Sequence, residues 1–530
     1  MTSDAVTDTD APPASSRLAV LLAMAMFVLV VDTSLMNVSI AAVVDDLGTT
    51  VSDVQSAIAL EALVSAAFIL IGSKIGDLIG RKRAFVLGLL GYALGALAMV
   101  FAQSLTPIII FWAIVGGLGA SMLLPAMQSL IHGNFEGAAQ RQAYALVGAA
   151  AAVAAAVGPL LGGFVTTFLS WRVGFALEVV VIGIVLSGLG LIRDVPYTGP
   201  RAIDLGGAAL SVVGMGGVVI GILVWQEGGE YVGLLIAVGL AALAGLAAWL
   251  TRRKAAGRPT LLDPGLFHLD LFRLGVSGQM LQNIALGGAM IALPIYLQLV
   301  MEYNALETGL TLAPLSLTMF ATALVAGKRA GRRRPSTLVL AGFVLLTAGM
   351  LLLIPIVPRA SSGWALVGPL LIAGCGLGLL VSQLNNYTLS PISEERVSEA
   401  AGVNSAAGSF GLSFGLASAG AILLATLSIV ATDLAHDSKV LPAAAQQQVG
   451  DALEDDAEVM SDTQLEAQLR SQPPQVKEEI LSINEVARHR ALQVALLIPI
   501  LAGALGIADA ARMRRRPDPK PSEPTGMALG

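Results

Sequence analysis

Runs of predominantly apolar residues, each about 20 long and so able to cross a hydrocarbon core as a helix, follow one another along almost the whole chain. Only 13% of the 530 residues are charged, against 55% hydrophobic. Backbone polar groups in lipid must be satisfied within the fold, so the runs set the class: an all-α polytopic membrane protein. They fall near 17–41, 54–75, 84–103, 106–131, 142–168, 172–192, 205–225, 231–250, 272–300, 307–327, 336–357, 363–390, 397–430 and 490–510, which makes fourteen spans.

Loop charge supports that count, because cytoplasmic loops collect Lys and Arg. With the N-terminus inside, Arg81–Arg83, Arg141, Arg193 with Arg201, Arg252–Lys254 with Arg258, Lys328–Arg334 and Arg512–Arg516 all fall on the inner side. The opposite loops carry mainly acids, such as Asp45, Asp46, Asp53, Glu227 and Glu230. One span more or fewer would put basic clusters outside. Residues 1–16 have no basic stretch of the signal-peptide kind and, like 511–530, are expected as cytoplasmic tails.

The net charge of −6 is unevenly spread: Thr432–Arg488 holds twelve acids against four bases, a local −8, leaving about +2 for the rest. Residues 431–488 are therefore expected as an acidic segment facing outward. Two readings stay open. One is a small helical cap, with Ser461 and Gln464 as a capping box and Pro473–Pro474 starting a helix into the last span. The other is a disordered loop. A single cysteine, Cys375, and four scattered histidines leave no internal disulfide and no metal-ligand cluster. No phosphate-binding loop or nucleophile–base arrangement occurs. The expectation is a non-enzyme without cofactor, metal or nucleic-acid partner.

The turn between spans two and three reads GSKIGDLIGRKR over Gly72–Arg83. Its small residues let two helices approach closely, and Asp77 can pair with Arg81 one helical turn on. The order G-x-x-x-G-D-x-x-G-R resembles the signature loop of the major facilitator superfamily, with Gly72, Gly76, Asp77, Gly80 and Arg81 in place. Ser73 and Leu78 depart from it, where a glycine and a base are usual. A weaker echo, Ala326–Gly342, follows the second span of the other half. The resemblance implies a six-helix bundle over 17–192, an inserted pair over 205–250 and a second bundle over 272–510, rocking about a central site. In it Gly72, Gly76, Asp77, Gly80 and Arg81 would form a conformational latch.

Two acids lie inside apolar spans. A charge at bilayer depth costs about 2.5–3.5 kcal/mol on the lenient scale, so each should face a cavity or carry a proton. Asp32 sits in LVVDTSLMNVSI, and Glu61 lies in span two. If span one ends near Ile40 and span two begins near Asp53, both are eight residues from one surface, or about 12 Å deep at ~1.5 Å per residue. Two carboxylates at one depth on adjacent helices can share a proton. The alternatives are a structural acid satisfied by hydroxyls at 32 and a lone protonated glutamate at 61. The first run resembles the D-x-T-x-x-N-V motif of fourteen-span drug:proton antiporters, with Asp32 and Asn37 matching. Glu61 has no counterpart there.

In span five, Gly158, Pro159, Gly162 and Gly163 resemble the antiporter motif G-P-x-x-G-G of exporters, where glycine and proline permit bending and close packing. In span four the family's buried arginine is replaced by Ala113, so either the two acids handle the proton alone or coupling is weakened. Glu178, six residues from Arg172, is expected as a local ion pair or cap. Gln279, Gln282, Asn283, Gln298, Asn385 and Asn404, with Asn37, supply uncharged polar groups to a cavity suited to amphipathic ligands.

The resemblance implies a monomeric proton-coupled exporter of amphipathic small molecules in a bacterial inner membrane, both termini cytoplasmic, with small molecule, proton and bilayer as partners. The rivals are a dedicated exporter of an endogenous lipid or secondary metabolite, an uncoupled facilitator, and a transport-dead sensor or scaffold.

Overall fold

The computed structural model describes residues 16–135, 137–194, 203–226, 229–328, 333–360, 362–392, 396–441, 465–466 and 469–517. Ser461 and Gln464, read above as a capping box, lie outside them. Among the described residues, fourteen helices are long and apolar enough to cross a membrane. In order they are α1 Ser16–Val38, α2 Val51–Ile79, α3 Arg81–Phe101, α4 Leu105–Asn134, α5 Gly137–Phe168, α6 Trp171–Leu191 and α7 Leu205–Gln226. Then come α8 Val232–Ala255, α9 Asp270–Val300, α10 Ala305–Lys328, α11 Pro335–Arg359, α12 Gly363–Leu389, α13 Val397–Asp437 and α14 Pro474–Arg514.

Helix ends follow local chemistry. Thr50 and Asp53 form a capping box that starts α2. At Gly80, φ is +100°, a backbone few side chains tolerate, which lets α2 end and α3 begin without a loop. Pro335 and Pro474 open α11 and α14, where their missing N–H costs nothing. Both flanks of the acidic segment are helical: α13 runs on to Asp437, and α14 passes from Pro474 through a slight break at Leu496 to Arg514.

α1 packs on α5 and α6, α2 on α4, and α3 on α4 and α6, which makes the first bundle. α9 on α13 and α14, α10 on α12, and α11 on α12 and α14 make the second. The bundles meet along two seams, α2 against α13 and α5 against α10. α7 lies over the first seam, touching α2 and α13, and α8 packs on α7.

Cross-bundle hydrogen bonds sit at the middle of the helices or toward their Thr50 ends. The Ala41 amide donates to Gln298 Oε1 at 2.8 Å, and the Leu306 amide to Thr167 Oγ1 at 3.0 Å. Ser413 Oγ donates to the Ala59 carbonyl at 2.7 Å. On α7, Gln226 Nε2 donates to Gln55 Oε1 at 2.8 Å. These bonds draw the bundles together at the Thr50 end, while nearer the Gly80 end Ile69 and Leu70 of α2 are buried with Ala400, Val403 and Ala406 of α13. Near the Gly80 end, Gly402 is in ordinary contact with the Leu70 side chain.

Candidate functional site

Asp32 lies in the middle of α1 and is 1% exposed. The Tyr92 hydroxyl from α3 donates to its carboxylate, as does the Trp112 indole N–H from α4, at 3.2 and 3.1 Å to the two oxygens. Trp112 reaches inward because Ile108–Gly116 is wound as a π-helix. The wider turn changes the direction of side chains along the face, a device common at functional sites. Its ring is held edge-on by Phe175, which in turn meets Trp171.

Glu178 on α6 is 3% exposed and faces Asp32. Among the described residues, neither of its oxygens meets a hydrogen-bond donor. The expectation of a local ion pair with Arg172 is therefore corrected. Six residues advance a helix by about 600°, which puts the two side chains on different faces. Arg172 instead pairs with Asp46 and donates to the Ala102 carbonyl, while Glu178 turns inward.

Glu61 on α2, 9% exposed, lies close enough to feel the Asp32 charge. None of the ion pairs among the described residues involves Asp32, Glu61 or Glu178. Ala113, at the position where the resemblance implies an arginine, is fully buried beside Trp112. The first bundle thus encloses three carboxyl groups, and among the described residues the side-chain donors bonded to them are neutral, a phenol and an indole, both on Asp32.

The signature turn is built around an Asp77–Arg81 ion pair, with Arg81 also donating to the Ser73 carbonyl at 3.3 Å. Gly72 lies against the Ser121 carbonyl of α4, too close for a side chain. Gly76 leaves room for the Arg81 guanidinium. Asp194, beyond α6, caps α3 by accepting from the Lys82 amide at 3.0 Å, and its carboxylate lies over Gly80. In α5, Gly158 and Gly162 receive Ser34 and Leu35 of α1, while Gly163 receives the backbone of Ala305 in α10. The Pro159 carbonyl sits against Gly309 of α10. One motif therefore serves both the interior of the first bundle and a seam.

The neutral polar set divides. Gln298 bonds Ala41 and, at 3.4 Å, the Asn37 carbonyl, so Gln298 and Asn37 lie at the bundle junction and not in an open cavity wall. Gln279 and Asn283 face Gly408 of α13. Gln282 is buried with its carbonyl oxygen unpaired. Asn404 Nδ2 donates to Asn385 Oδ1 at 3.2 Å, and Asn385 is exposed. Tyr92, Trp112 and Asp194 went unnoticed in the sequence because aromatic residues blend into apolar runs and a loop aspartate carries no signal. Arg488, counted there as a loop charge, is buried and donates to the Leu299 carbonyl at 3.0 Å.

The sequence profile described as Major Facilitator Superfamily matches residues 22–416. A probable actinorhodin transporter of Streptomyces coelicolor is 25% identical over 77% of this chain and 72% of its own. The puromycin resistance protein pur8 of Streptomyces alboniger is 29% identical over 78% of this chain and 82% of its own. The multidrug resistance protein Stp of Mycobacterium tuberculosis is 27% identical over 80% of this chain and 79% of its own. Among solved structures, a bacterial homologue of the human lysosomal transporter Spinster, inward-facing and unoccupied, superposes with a TM-score of 0.60 at 12% identity, covering 96% of this chain and all of that one. Two bundles joined along paired seams, the Gly72–Arg81 turn and a profile match over most of its length make this chain a member of the major facilitator superfamily.

Proposed function

We propose that the protein exports amphipathic small molecules in exchange for protons by alternating access. The observation that carries this reading is the enclosed carboxyl cluster around Asp32, which has no basic partner. Such a site is costly at bilayer depth unless protons neutralise it, and a proton is the cation small enough to enter a closed bundle. The relatives named for actinorhodin, puromycin and multidrug resistance support the substrate class. In this reading Asp32 and Glu61 load protons from outside, and the neutralised bundle tilts. The Asp77–Arg81 pair biases which end is open. Gly158, Pro159, Gly162 and Gly163 form the sliding face. Gln279, Gln282, Asn283, Asn385 and Asn404 offer hydrogen bonds to the substrate.

Basic loops support a cytoplasmic Gly80 end and cytoplasmic termini in a bacterial inner membrane, so in this reading the Thr50 end is the outer one. The protein acts as a monomer in this scheme. If the cycle moves net charge, the membrane potential adds about 2.3 kcal/mol per charge per 100 mV.

The test is ΔpH-driven uptake of ethidium and of puromycin into inverted vesicles. Wild type should accumulate both, with Asp32→Asn and Glu61→Gln reduced to the level seen without a gradient. Undiminished uptake in both variants would refute the coupling assignment. Ala113 gives a second reading, an uncoupled facilitator, which would equilibrate substrate at the same rate after the gradient is collapsed.

A further inference from the structure

Resting on that reading, we infer that Glu178 and Asp32 together form the proton-holding unit, with one proton bridging the two carboxyl groups in the resting state. Asp32 is surrounded by donors: the Tyr92 hydroxyl and the Trp112 indole both point hydrogens at its oxygens. Glu178 is in the opposite situation. It is nine-tenths or more buried, and no donor among the described residues reaches either oxygen. An ionised carboxylate without donors in such a place is untenable, whereas a carboxylic acid needs only an acceptor for its one hydrogen. The acceptor it faces is the Asp32 carboxylate.

The assignment of roles follows from this asymmetry: Glu178 is the O–H donor, and Asp32 is the anion steadied by three donors in all. The titratable groups around the pair are Glu61 on α2 and Tyr92 on α3. Trp112 from α4 contributes a fixed N–H, and the nearest base along α6, Arg172, is occupied by Asp46.

Transport then adds a second proton to Asp32, giving a neutral pair. Its release restores the singly protonated pair, and no other bond changes. Glu178 is not a spectator in this cycle. It holds the bridging proton throughout and sets how readily Asp32 accepts another.

Infrared difference spectroscopy of the substrate-free protein in lipid vesicles reads this without any transport assay. In a Glu61→Gln background, the protein at neutral pH should show a protonated-carboxyl C=O stretch that shifts on 13C-carboxyl labelling of glutamate but not of aspartate. Glu178→Gln should abolish it, and Tyr92→Phe should move its frequency while leaving it present. The label needs no change at position 178, so the test survives if Glu178→Gln folds poorly. No glutamate-derived band, or one unchanged in Glu178→Gln, would overturn the assignment. A band confirmed beside failed ΔpH-driven efflux would instead sink the antiport reading alone.

Discussion

Asp32 is held by neutral donors and not by a countercharge, and this has measurable consequences at single positions. Replacing Trp112 with Phe keeps the ring packed on Phe175 but removes the N–H that both Asp32 oxygens share. A buried acceptor left short of a donor costs about 1–3 kcal/mol, so Trp112→Phe should lower the melting temperature of the purified protein. Outside the membrane, Asp263 behaves differently. Burial alone would raise its pKa, but Lys254, the Gly265 amide and Arg396 outweigh it and hold the carboxyl below its ordinary 3.8. A lowered folded-state value means the ionised form supports the fold. The contribution is present above the unfolded value and is lost as pH falls through the folded one. Asp263→Asn should therefore melt lower than wild type near neutrality, with the gap closing as the pH drops below the usual aspartate range. Asp32 and Glu61 stood out in the sequence because an acid inside an apolar run is costly in lipid. Glu178 was equally visible but was assigned to the wrong neighbour, because distance along the chain was weighed without the helical angle.

Among the elements, the inserted pair shows how one buried acid can organise several segments. Asp204, fully enclosed, accepts from the Trp249 indole at 3.0 Å, the Gly207 amide at 3.0 Å and the Leu261 amide at 3.3 Å, and Arg253 stands 3.4 Å away. It ties the start of α7 to the end of α8 and to the following linker. Gly217 and Gly239 let the two helices approach backbone to backbone. Trp249→Phe should cost about 1–2 kcal/mol through the lost charge-assisted bond. Its signature would be earlier proteolysis in the 256–262 linker, with the rest of the chain unaffected. The number of spans and most of their ends could be read from hydropathy, glycine and proline. The extension of α13 to Asp437 could not, since beyond residue 430 the apolar signal stops while the helix continues.

For the whole molecule, the seams decide which end is shut. Gly163 sits against the Ala305 backbone and Gly309 against the Pro159 carbonyl, so a side chain at either position forces the bundles apart at the Thr50 end. Gly163→Val should shift the population toward opening at the Thr50 end. A cysteine at Gln55, in a Cys375→Ser background, would then react faster with a membrane-impermeant maleimide added from outside. Unchanged labelling would show that this seam does not govern the equilibrium.

By itself the sequence determined the class of fold, the count of spans and the presence of misplaced charge. Those depend on one-dimensional quantities: the length of apolar runs, the alternation of loop charge and the cost of an acid in lipid. Which carboxyl groups meet, that Trp112 and Tyr92 serve Asp32, and that Gln298 and Asn37 lie at a junction were decided by the tertiary structure alone. Each depends on the rotation of a helix about its own axis, and that rotation is set by the packing of neighbouring helices and, in α4, by a π-turn that no local composition announces.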